Sequence, residues 1–135
     1  MGDAYMKVLL DTCAILWSVS EPSRLSGAAR GILSRPDTEV SYSSISAAEI
    51  ACLSQRGRIT LDRHWRSWFT HYTEINGWRA MDIGVDTLFE AYSLPDWPFH
   101  DPADRIIIGT ARHNGLTIVT GDRRILDYPH VPSME

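Results

Sequence analysis

The chain has 135 residues, 44% of them hydrophobic and 22% charged, and its 17 acidic against 13 basic residues give a net charge of −4 at pH 7. That is the size of a single domain and the composition of a globular one, which sets disorder aside. No apolar run approaches the roughly 20 residues that span a bilayer, residues 1–5 lack the basic and apolar segments of a signal peptide, and two cysteines cannot make a disulfide framework, so a reducing cytoplasm is the expected location.

Residues 8–10, Val8-Leu9-Leu10, are a short, wholly apolar run, the mark of a strand buried on both faces, and Asp11 follows at once. Residues 14–17 read as a short helix broken near Pro22, and 26–33 as a second, with Ser26 as N-cap and Pro36 beyond its end. A strand is expected at 39–43, through Val40 and Tyr42. A helix over 46–55 follows, with Gly57 as its stop. Over 61–75, Leu61, Trp65, Trp68, Phe69 and Tyr72 repeat at helical spacing and predict a strongly amphipathic helix. A brief strand at 78–81 and a helix at 85–92, ended by Pro95, come next. The turn-rich stretch 96–101 leads to a central helix over 103–113, stopped by Asn114-Gly115. The last strand spans 116–120, around Ile118-Val119, and Gly121-Asp122 follow it.

Strands alternating with helices imply an α/β fold with a mainly parallel sheet. One domain over 6–132 is expected, with 1–5 as an extension (Met6 is a candidate start) and 133–135 as a tail outside the fold.

The basic residues are twelve Arg and one Lys, Lys7. There is no Gly-x-x-x-x-Gly-Lys phosphate loop and no well-placed Schiff-base lysine. A phospho-acceptor receiver domain also needs a Lys after a late strand, and none stands there. The acidic balance argues against a broad positive face for nucleic acid, yet leaves room for clustered carboxylates. No Gly-x-Ser-x-Gly elbow exists, and the five His, at 64, 71, 100, 113 and 130, lack zinc spacing; His100 alone is placed to touch a site at the strand ends.

In a parallel α/β sheet, ligands sit outside the carboxyl ends of the strands. Asp11 follows the first strand and Asp122 the last. Glu49 lies in the first turn of the helix after the second strand, and Asp101 and Asp104 open the 103–113 helix. At least three and up to five carboxylates thus face one crevice. They cannot all stay ionised there without a cation, and an oxygen-rich set of this kind suits Mg²⁺ or Mn²⁺. Each acid also has a purely structural reading. Ser46-Ala47-Ala48-Glu49 matches a capping box. Asp101-Pro102-Ala103-Asp104 matches an N-cap, a first-position Pro and an acid near the positive end of the dipole. Asp11 caps the first helix, and Asp122 a turn through Leu126.

The acids lie in segments that resemble the PIN-domain ribonucleases, and closely the VapC-type toxins of toxin–antitoxin pairs. The matching segments are Leu9-Leu10-Asp11-Thr12, Ser44-Ile45-Ser46-Ala47-Ala48-Glu49-Ile50-Ala51, His100-Asp101-Pro102-Ala103-Asp104-Arg105-Ile106-Ile107-Ile108 and Leu116-Thr117-Ile118-Val119-Thr120-Gly121-Asp122. None is specific alone; four in this order over residues 7–131 are. Cys13 stands where one subgroup often has His, and Ala48 where Trp is common, departures that bear on substrate preference more than on chemistry.

The resemblance implies a PIN-like three-layer fold and metal-dependent endonucleolytic cleavage of RNA by a water that the metal activates. It makes Asp11, Glu49, Asp104 and Asp122 the catalytic acids. Asp11 and Asp104 are expected as direct Mg²⁺ or Mn²⁺ ligands, Glu49 and Asp122 as ligands directly or through water, and Asp101 as a fifth acid or merely a cap. Thr12 and Thr120 are expected to orient carboxylates. Arg105 and Arg123 are the substrate-contact candidates, with Arg124, Arg56 and Arg58 behind them. The resemblance further implies a VapB-like antitoxin that blocks the pocket with an Arg or Lys, and a homodimer. The aromatic helix 61–75 carries more surface than docking one helix needs, so two placements are open: part of it packs on a second copy or on the antitoxin, or all of it lies in the monomer core. Two alternatives remain within the fold: a housekeeping nuclease, and an inactive RNA-binding form, which should have lost an acid. Cys13 reads as a small buried packing residue.

Overall fold

The computed structural model describes residues 6–135; the extension expected over 1–5 lies outside the described residues. The elements run β1 (Lys7–Leu10), α1 (Thr12–Ser20), a 3₁₀ turn (Pro22–Arg24), α2 (Gly27–Ser34), β2 (Glu39–Ser43), α3 (Ile45–Gln55) and α4 (Trp65–Ile75). They continue with β3 (Arg79–Met81), α5 (Val85–Ala91), α6 (Pro102–Asn114), β4 (Thr117–Val119), α7 (Arg123–Leu126) and β5 (Ser133–Met134).

The strands form one sheet of order β3-β2-β1-β4-β5, with every neighbouring pair parallel. Parallel neighbours need crossover connections, and the helices that make them cover both faces. Alternation along the strands divides the core. Val8, Leu10 and Val119 pack with Ile15, Ile50, Trp68 and Phe69 on one side. Leu9 and Ile118 pack with Ile107, Ile108 and Ala111 on the other. The result is the parallel α/β sheet expected from the pattern, in the three layers that the resemblance implies. The chain steps outward from β1 to β3, then returns to the far side of β1. The sheet therefore has a switch point between β1 and β4, and the crevice beyond their carboxyl ends is where such folds bind ligands.

Several boundaries differ from the sequence expectation, each for a local reason. The helix expected over 61–75 starts at Trp65, because His64 is extended and its Nδ1 accepts the Arg66 N–H at 3.2 Å. Leu61 still packs against the core, from the preceding loop. Residues 133–134 are not a tail. They add a parallel edge strand, with Ser133 opposite Ile118 and Met134 opposite Val119, and so cover an otherwise open edge of β4. Two residues are too few to show a strand period.

The aromatic face of α4 is not spare surface either. Trp68 and Phe69 are buried, and Trp65 and Tyr72 lean on the same cluster. The exposed apolar row is instead Val85, Leu88, Phe89 and Tyr92, along and just beyond α5. The opposite side of α5 meets α6 so closely that a Cβ at Gly109 would stand 2.8 Å from the Ala91 backbone. Among the described residues no helix is long and apolar enough to cross a membrane.

Candidate active site

Asp11 leaves β1 at the switch point, where its N–H donates to Val119 O across the β1–β4 pair at 3.1 Å. It is 6% exposed and is the N-cap of α1, one oxygen accepting from Ala14 N at 2.8 Å. The other oxygen accepts from the Thr120 hydroxyl at the end of β4. Thr120 Oγ1 in turn accepts from Asp122 N at 2.9 Å. A single chain of hydrogen bonds thus ties the two acids that flank the switch point. At Gly121 a Cβ would meet the outer edge of the Trp17 ring, so a side chain there requires Trp17 to move.

Glu49 reaches the crevice from α3 and accepts from the Thr12 hydroxyl. Thr12 has one hydroxyl proton, and it is given to Glu49, so the 2.9 Å contact between Thr12 Oγ1 and Ser46 Oγ is donated by Ser46. The capping box expected at Ser46–Glu49 does not form. The helix begins at Ile45, so Ser46 lies inside it and Glu49 falls in the second turn. Ser46 and Glu49, three apart, share a helix face, and Ser46 is a supporting residue that the capping reading concealed.

Asp101 and Asp104 sit on α6. Asp101 is the exposed N-cap, accepting from Ala103 N at 2.9 Å. Asp104, further along the first turn, is half-buried and faces Arg124, whose Nη2 lies 2.7 Å from its carboxylate. The same Nη2 is 2.7 Å from Asp122. Asp122 is itself the N-cap of α7, accepting from Arg124 N at 2.9 Å. As they stand, no three Asp, Glu, His or Cys side chains among the described residues close on one ion.

The acids nevertheless feel one another. Burial pushes Asp11 up to about 6 against the hydrogen bonds from Thr120 and Ala14, and the charges of Asp122 and Asp104 add to the rise. Glu49 is raised first by burial and then by Asp101, Asp104 and Asp11, while the Thr12 hydroxyl works the other way. Asp104 is raised by burial and by Asp101, with Arg124 opposing. Asp122 alone is lowered, chiefly by its bond to Arg124. Such mutual repulsion among oxygen donors is what a hard divalent cation relieves, and the donor set fits Mg²⁺ or Mn²⁺.

Other candidates fall elsewhere. Arg105 does not face the crevice: its guanidinium donates to Ala91 O and Trp97 O at 3.2 Å each, and so clamps the loop between α5 and α6. Arg123 points toward the C-terminal strand, 3.6 Å from Asp127 and 3.7 Å from Glu135. Its neighbour Arg124 stands among the acids. Arg56 lines a groove of about 510 Å³ that Glu49, Ala48, Cys52 and Asp101 also border. Arg58 and His100 are exposed. Cys13 is exposed rather than buried, on the rim of the pocket. Partial desolvation and the charges of Asp11, Glu49 and Asp122 push its thiol up to about 11, so it is a poor nucleophile.

A doubly wound parallel sheet with carboxylates from both sides of its switch point defines an α/β protein built around an acidic crevice. The profile of the PIN domain matches residues 8–131, and the chain belongs to that family. It is 37% identical over 123 residues to ribonuclease VapC22 of Mycobacterium tuberculosis, a match covering 91% of this chain and 92% of that protein. Solved structures share the fold at lower identity. One is VapBC2 from Rickettsia felis bound to a DNA fragment from its promoter, with a TM-score of 0.72, 15% identity and coverage of 96% of this chain and 98% of that one. Another is DNA-bound VapBC from Salmonella typhimurium, with a TM-score of 0.70, 18% identity and coverage of 96% and 97%.

Proposed function

We propose that this chain is a divalent-metal-dependent endoribonuclease, the toxin of a toxin–antitoxin pair, with Asp11, Glu49, Asp104 and Asp122 as its catalytic acids. The observation that carries the reading is the delivery of these acids by four separate elements to one switch-point crevice, where burial and mutual charge raise three of them. Similarity to a ribonuclease over nearly the whole chain supports the reaction class.

Asp11 and Asp104 are the direct ligands in this reading, with Glu49 and Asp122 completing the set directly or through water; Asp101 serves the helix. A bound Mg²⁺ or Mn²⁺ supplies the Lewis acidity that draws charge from the scissile phosphate and makes an attacking water acidic. The chain's own part is orientation. The Thr120 hydroxyl fixes the free oxygen of Asp11, and the Ser46–Thr12 pair fixes Glu49. These bonds hold the carboxylate rotamers before any ligand arrives, so little ordering is needed when it does. An RNA strand lies along the groove past Glu49 and Asp101, with Arg56 set to meet a phosphate.

The partner is a VapB-like antitoxin whose cationic side chain enters the negative pocket. The chain pairs with a second copy across the apolar row on α5, and acts where its RNA is, in the cytoplasm. Recombinant protein is expected to cleave RNA in Mg²⁺ or Mn²⁺, to stop in EDTA, and to lose cleavage in Asp11→Asn and Asp104→Asn. Wild-type rates in both variants would refute the acid assignment. Expression alone should slow growth, and the neighbouring gene should restore it.

A further inference from the structure

We propose that Arg124 is a resident counter-ion of the acidic pocket, and that a divalent cation must displace its guanidinium from Asp104 before the site can close. The inference rests on the metal-site reading above and concerns which group the metal competes with inside this chain.

The guanidinium joins two acids from different elements. Its Nη2 is 2.7 Å from Asp104 on α6 and 2.7 Å from Asp122, while its Nε is 3.1 Å from the second oxygen of Asp122. Its Cζ lies over the Phe99 ring, 4.9 Å from the centroid, where the face of the ring attracts a cation. The neighbouring arginines are engaged elsewhere, Arg105 with backbone carbonyls and Arg123 with Asp127 and Glu135. Neutralisation is therefore uneven. Asp104 and Asp122 share a positive charge, whereas Asp11 and Glu49 receive hydroxyl protons from Thr120 and Thr12.

Two features make this pairing reversible. The Arg124 side chain is 40% exposed where Asp104 is 14% and Asp122 27%, so the cation sits at the mouth and the acids lie beneath it. Its departure into solvent gives up the cation–π contact with Phe99. The cap that anchors α7 uses the Arg124 backbone N–H and not its side chain, so the helix stays in place when the guanidinium swings. The acids as they stand do not close on an ion, and Arg124 holds two of them, Asp104 and Asp122. A single delocalised charge is a weaker match for clustered carboxylate oxygens than a divalent ion, so the exchange runs toward the metal but lowers its net affinity.

The test is calorimetric titration of Mn²⁺ into RNA-free wild type, Arg124→Gln, Arg124→Met and Asp11→Asn, with circular dichroism checking the fold. Both Arg124 variants are expected to bind Mn²⁺ about tenfold tighter than wild type, the scale of one lost charge-assisted contact at a half-exposed site. A merely structural role for Arg124 would leave that affinity unchanged or weaken it. Equal or weaker binding in both Arg124 variants, with binding still abolished by Asp11→Asn, overturns the counter-ion proposal and leaves the metal site standing. Absence of Mn²⁺ binding in wild type and both Arg124 variants overturns the metal-site reading, and the proposal with it. Met shows that a gain seen with Gln does not come from a new amide hydrogen bond.

Discussion

Asp11→Asn should make the metal-free protein more stable at neutral pH and leave it unchanged or slightly weaker in acid. Asp11 is almost wholly buried and its carboxyl is pushed from 3.8 up to about 6, with desolvation as the leading cause. A group whose folded pKa is raised binds its proton more tightly in the folded state. Its stability contribution is complete below the unfolded value and is lost as pH rises through the window from 3.8 to about 6. At about 1.36 kcal/mol per pH unit, holding Asp11 ionised at pH 7.5 costs about 3 kcal/mol. Asn is an equal N-cap, so the bond from Ala14 N survives. The cost of holding Asp11 ionised already includes the help Thr120 gives the charge; Asn in addition turns an NH2 toward Thr120 in place of the accepting oxygen, and the lost bond returns about 1–2 kcal/mol of the gain. The balance is a stabilisation of about 1–2 kcal/mol at pH 7.5. Below the window both chains carry a neutral group and the advantage disappears. Urea denaturation in EDTA at pH 7.5 and at pH 4, near the foot of the window, reads the gain and its loss. An Asn variant less stable than wild type at pH 7.5 would mean that the carboxylate is held for structure, and the burial argument would fail.

Asp101→Asn should keep stability within about 0.5 kcal/mol, since Asn caps as well as Asp, and should keep Mn²⁺ affinity, because the exposed carboxylate is committed to Ala103 N; lost Mn²⁺ binding with stability intact would move Asp101 into the ligand set. Gly109→Ala should destabilise by about 1–3 kcal/mol in thermal melts, the cost of overpacking against a helix backbone that cannot yield. Phe89→Asp should convert the dimer proposed across α5 to a monomer in sedimentation equilibrium, whereas a wild type that is already a 15.2 kDa monomer would remove the dimer from the reading.

The sheet and the acids were legible for one reason. Strands buried on both faces tolerate no charge, so the first Asp after Val8-Leu9-Leu10 marks the carboxyl edge, as does Asp122 after Ile118-Val119. What the sequence concealed depends on helix phase and on contacts between distant segments. Ser46 and Glu49 match a capping box, but a helix that starts two residues earlier than that box requires turns Ser46 toward Thr12 instead. Arg123 and Arg124 are indistinguishable in sequence. A step of about 100° around the helix separates a surface pair from the acids' partner. Similarly, α4 and α5 both carry apolar faces. Only the packed structure shows that Trp68 and Phe69 are spent on the core while Val85 and Phe89 are not.

The capping and ligand readings of the acids are two descriptions of one arrangement. Asp11 and Asp122 each give one carboxylate oxygen to a backbone N–H at the start of a helix, through Ala14 N and Arg124 N. That bond fixes the rotamer and leaves the second oxygen for other partners: the Thr120 hydroxyl for Asp11, the Arg124 guanidinium for Asp122. The positive ends of the helix dipoles also offset part of the repulsion among the acids. A pocket of half-buried carboxylates can therefore persist in a folded chain before a cation arrives. Because both duties run through the same side chain, truncation to Ala removes cap and charge together. Only the Asp→Asn change separates them, since it keeps the acceptor oxygen of the cap and discards the charge.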